Sequence, residues 1–147
     1  LDFIPLINSR RTLLETGFDV AGNPESPRPG SSLTHQDGTL GFEFHPKAEE
    51  VRAGEEARFQ LTVTAEDGSP TRFSPVMDSY AHVVAFDEAG TGFAHLHPQN
   101  PFVEGQDPLN PDLEFAFLFD KPGYYRVWAQ VIVNERQIFA PFDLQVM

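Results

Sequence analysis

The sequence contains no cysteine. Disulfide bonds, thiolate metal sites and cysteine nucleophiles are therefore excluded. Positive charge is also scarce: 10 Lys and Arg stand against 22 Asp and Glu, a net charge of −12. Such a surface repels phosphate backbones, so nucleic-acid binding is not expected. It disfavours anionic membranes and favours cations or basic partners. No apolar run approaches the ~18–20 residues that a membrane span needs. Catalytic signatures are missing too. There is no Gly-x-Ser-x-Gly, no phosphate loop, no His-Glu-x-x-His and no EF-hand spacing, so enzymatic activity is not expected. The chain begins at Leu1 rather than Met, which leaves room for a removed leader.

What is present is core-forming. Of the 147 residues 40% are hydrophobic, and 14 are Phe. That length and composition suit one packed domain. In residues 1–20, Leu6, Leu13 and Leu14 fall at helical spacing ahead of Gly17, so a short helix or an extended segment is expected there. Residues 21–38 are rich in proline and glycine and read as a linker or surface loop, with His35 solvated inside it. From residue 39 to 147 the pattern turns to period two. Leu40, Phe42 and Phe44 share one face, as do Ala57, Phe59, Leu61 and Val63. So do Leu113, Phe115, Phe117 and Phe119, then Tyr125, Val127, Ala129, Val131 and Val133, and finally Phe142, Leu144 and Val146. With "AHVVAF" and "FAHLH" this makes about seven strands in about 110 residues, the spacing of an all-β, immunoglobulin-like or Greek-key β-sandwich. "FDKPGYYRV" has the form of a tyrosine corner with Tyr125 turned inward. Pro141 argues for an edge strand or a bulge.

Three of the five histidines lie in "AHVVAFDEAGTGFAHLHP", residues 81–98. If 81–87 and 92–97 form a hairpin, Phe86 opposes Phe93, Val84 opposes His95, and His82 opposes His97. Opposed residues share a face and sit roughly 4.5–5.5 Å apart at Cβ. His82, His95 and His97 then converge at a spacing suited to one metal ion. A fourth position is left for Met77, Asp78, water or a substrate. A thioether from Met77 favours Cu(I), whereas a carboxylate from Asp78 favours a harder ion. Both faces of the hairpin carry apolar residues, so its core side stays open. In the alternative reading the histidines are structural or surface polar groups. Partner binding then falls to loops such as 98–112, where Glu104, Asp107 and Asp112 could also hold calcium.

The stretch "VMDSYAHVVAFDEAGTGFAHLHP" followed by "KPGYYRVWAQVIVNERQIFAPFDLQV" resembles bacterial exported Ig-like domains related to the YtkA-like family. The resemblance spans about residues 40–146. It implies an immunoglobulin-like fold, a periplasmic or extracellular location and handling of copper or zinc. It places the family's histidines on His82, His95 and His97 and its first methionine on Met77. Asp78 stands where that family has glycine, and Ser79 where a second methionine is frequent. The lost thioether weakens a Cu(I) role, and Asp78 suits Cu(II) or zinc instead. A metal carrier or chaperone, with another exported protein as partner, is the function so implied.

Overall fold

The computed structural model describes residues 2–3, 12–13, 32–90, 93–100, 102–109 and 111–147. The strands are β1 (Asp2–Phe3), β2 (Thr12–Leu13), β3 (Thr34–Asp37), β4 (Leu40–Pro46), β5 (Glu56–Ala65), β6 (Phe73–Ser74), β7 (Ala81–Asp87), β8 (Phe93–Leu96), β9 (Glu114–Leu118), β10 (Gly123–Val133) and β11 (Arg136–Val146). One sheet has four strands in the order β3-β4-β5-β9. The other has five, in the order β11-β10-β7-β8 with β6 also on β10. All these pairings are antiparallel. The protein is an all-β sandwich.

The period-two faces identified in the sequence are the faces that meet. Phe42, Phe44, Phe59, Phe115 and Phe142 are each at most 1% exposed. Phe44 of β4 stacks on its sheet neighbour Phe59 at 4.7 Å between centroids, and across the sandwich on Phe142 of β11 at 5.3 Å. Burying a side chain of this size contributes roughly 1.5–3 kcal/mol. Ring pairs at such distances add about 0.5–1.5 kcal/mol. The outer face of the four-stranded sheet is instead charged. There Lys47 and Arg58 both hold Glu114. The Lys47 hydrogen bond, reinforced by Arg58, keeps the Glu114 carboxyl below the ordinary carboxylate range.

Two local devices fix the loops. The Tyr125 hydroxyl donates to the Lys121 carbonyl at 2.9 Å, which is the geometry of a tyrosine corner. Burial pushes the Tyr125 phenol above its usual pKa, so the donor stays protonated. Between β10 and β11, Asn134 and Glu135 adopt φ of 49° and 64° and close a two-residue hairpin. Pro141 lies on β11, at the end of its sheet's strand order, as an edge proline should.

Where the N-terminal part is described it takes the extended alternative, not the helical one: Thr12 and Leu13 pair with Asp2 and Phe3. Leu6, Leu14 and residues 21–31 lie outside the described residues. Thr34–Asp37, read from the sequence as the end of a linker, is an edge strand on β4. His35 within it is half-buried, its ring 6.1 Å from that of Phe42, rather than solvated. Just before it, Ser32 exchanges backbone hydrogen bonds with Asp143 of β11, so the chain enters by touching both sheets. No helix among the described residues is long and apolar enough to cross a membrane.

Candidate metal centre

β7 lies between β10 and β8 in the five-stranded sheet, and this decides which way its side chains point. Ala81, Val83 and Ala85 are 0–3% exposed and face the core. Ala94 and Leu96 of β8 pack against the same core. The histidine face is therefore the outer one, and the ambiguity left by the sequence is resolved. The small residues Ala81 and Ala85 leave room inside for the phenylalanines of the opposite sheet. The register is Val84 with His95, Ala85 with Ala94 and Phe86 with Phe93. Continued past Leu96, it sets His97 opposite His82.

The three imidazoles converge. Ring centroids are 4.4 Å apart for His82 and His97, and 5.4 Å for His82–His95 and His95–His97. One ligand nitrogen from each can be chosen so that all lie within 4.8 Å of one another. This group is able to hold a metal ion. His82 is 4% exposed although its strand face is the outer one. His95 is half-buried and His97 exposed, so the cluster grades from the sheet surface to solvent.

The hydrogen bonds identify which His82 nitrogen has a lone pair to offer. Its Nε2 lies 2.8 Å from the Val76 carbonyl. A carbonyl only accepts, so Nε2 carries the proton. In the neutral ring Nδ1 is then the lone-pair nitrogen. That Nδ1 faces His95 Nε2 at 3.1 Å. Two nitrogens 3.1 Å apart subtend about 98° at an ion placed ~2.05 Å from each. The pair is thus spaced for coordination with little movement. Without metal, the same geometry is a hydrogen bond from His95 Nε2–H to His82 Nδ1.

The other predicted residues are placed differently. Met77 and Asp78 form the tip of a turn preceding β7, with φ of 46° and 59°. Met77 is 63% exposed. Asp78 does not join the histidine group, which among the described residues is the only cluster of its kind. Trp128, opposite Val84, and Gln130, opposite His82, line the β10 side of the same outer face. In the 98–112 loop, Asp112 accepts from Gln60 and Asn100, and Asp107 accepts from the Leu109 amide. These two acids serve the loop locally, and no calcium cluster forms among the described residues. The Val76 carbonyl was not foreseen. A backbone acceptor has no side-chain signature, so no signal in the sequence marks it.

No curated protein and no solved structure matches the chain. A family model does match, over residues 34–147, from the first residue of β3 to the end of the chain. The chain belongs to the family described as a domain of unknown function, DUF8832.

Proposed function

We propose that this protein is an exported metal-binding domain that carries one copper or zinc ion on His82, His95 and His97. The observation that carries this reading is the convergence of three imidazoles within 4.8 Å at their ligand atoms. Three nitrogen donors without a thiolate suit zinc or copper better than calcium or magnesium. The acidic surface draws cations toward the domain. Carriage rather than catalysis is its role, with an immunoglobulin-like fold as the scaffold, and the resemblance to exported Ig-like domains of the YtkA-like type supports the location outside the cytoplasm.

Equilibrium dialysis of the purified chain against Zn(II) and Cu(II) tests it, beside a His95→Ala/His97→Ala double variant. One ion per chain, lost in the variant, is expected. A folded chain that takes up no ion at micromolar metal rejects it. A second reading has its own observation. Phe86 and Phe139 are 38% and 54% exposed and share the outer face with the histidines. In that reading the sheet face docks a protein and the histidines are structural. Substituting Phe139 with serine then weakens partner capture, whereas histidine substitutions leave it intact.

A further inference from the structure

The segment Val76–Ser79 does more than lead into β7. Its ends are closed by two backbone hydrogen bonds, Val76 N–H to Ser79 carbonyl at 2.7 Å and Ser79 N–H to Val76 carbonyl at 3.1 Å. Its two central residues both sit in the left-handed region, with φ of 46° and 59°. That is the backbone of a type I′ turn, which favours Asn-Gly or Asp-Gly. Asn134 begins the equivalent turn between β10 and β11. Here the first position is Met77 instead, a residue that rarely adopts positive φ. A strained conformation held in place invites a functional reason.

The turn is tied down on both sides. Ser79 is 4% exposed, and its hydroxyl donates to the Ala81 carbonyl at 2.9 Å. The Val76 carbonyl accepts twice, from Ser79 N–H and from His82 Nε2–H. It uses both lone pairs. A metal-binding histidine ordinarily donates its other ring N–H to such a partner, which fixes the tautomer and ring orientation.

We propose that the Val76–Ser79 turn is the positioning device of the histidine site. Through the Val76 carbonyl it holds His82 with Nδ1 presented as the ligand, and Met77 and Asp78 act as turn residues rather than as ligands. This rests on the metal-binding reading for its consequence, but the tautomer it requires exists in the metal-free chain.

Three measurements on the full chain test it. Long-range proton–nitrogen NMR of the metal-free, 15N-histidine-labelled protein reads the His82 tautomer directly. The proton is expected on Nε2, and a proton on Nδ1 overturns the proposal. Zn(II) titration of Met77→Asn/Asp78→Gly, which installs a favoured turn, is the second. Affinity within about two-fold of the parent and a raised thermal midpoint are expected. A loss beyond ten-fold in a folded variant makes Met77 or Asp78 a ligand and overturns it. In the third, Asp78→Pro fixes φ near −65° and cannot form the turn. Its zinc affinity falls about 10–100-fold, the usual effect of losing an orienting partner. Unchanged affinity in that variant overturns the proposal. If the parent chain binds no zinc, the metal-binding reading fails, and the NMR tautomer still decides whether the turn orients His82.

Discussion

His82 and His97 belong to one cluster but are embedded differently, and replacing each by alanine separates metal binding from folding. His82 is 4% exposed. Its ring donates to Val76 and meets His95 Nδ1 to Nε2. His82→Ala removes two hydrogen bonds, each worth about 0.5–1.5 kcal/mol net. It also takes one of its two donors from the Val76 carbonyl and opens a gap in the sheet surface. The sum is roughly 2–4 kcal/mol. A domain of this size holds about 5–15 kcal/mol in total, so the variant still folds. His97 is exposed at the end of β8. His97→Ala removes an exposed ring that packs at 4.4 Å on His82 and costs less, about 0.5–1.5 kcal/mol. Each variant nevertheless removes one of the three proposed ligands. Free zinc at 100 times its dissociation constant adds about 2.7 kcal/mol to the parent, and both variants lose that increment. Urea unfolding with and without zinc reads all four quantities. A His97→Ala chain that keeps the zinc increment, or a His82→Ala chain that unfolds at the parent's urea midpoint without metal, contradicts these roles.

Other expectations follow from the core and the ion pairs. Tyr125→Phe deletes the hydroxyl bond to Lys121 and lowers stability by about 0.5–1.5 kcal/mol in urea melts. Phe44→Ala, at the stack joining Phe59 and Phe142, costs about 3–5 kcal/mol and is checked the same way. The Glu114 carboxyl is depressed below the ordinary glutamate value of 4.5 in the folded state, first by Lys47 and then by Arg58. Its stabilisation is therefore present above pH 4.5 and lost as pH falls through the lower folded value. Glu114→Gln flattens that acid limb of a stability–pH curve, and an unchanged limb contradicts the assignment.

The sandwich was legible because β4, β5, β9 and β10 alternate. Phe115 and Phe117 are buried while their neighbours Glu114, Ala116 and Leu118 are not, and the same holds along β4, β5 and β10. The hairpin register was legible because its short loop leaves few alternatives. Its inner face was not, since Val84 and Phe86 are as apolar as Val83 and Ala85. Only the pairing of β7 with β10, whose Val127, Ala129 and Val131 point inward, settles that. β3 escaped notice because "THQD" has no apolar alternation. It is an edge strand held by backbone pairing to β4. The cluster of three histidines could be read from spacing alone. The orientation of His82 could not, because its partner is a backbone carbonyl.

Ligation of one ion by three imidazoles is read out by X-ray absorption at the zinc edge of the zinc-loaded chain. Three nitrogen scatterers at about 2.0–2.1 Å with the outer-shell pattern of imidazole are expected. A shell of oxygen atoms without imidazole scattering would contradict it.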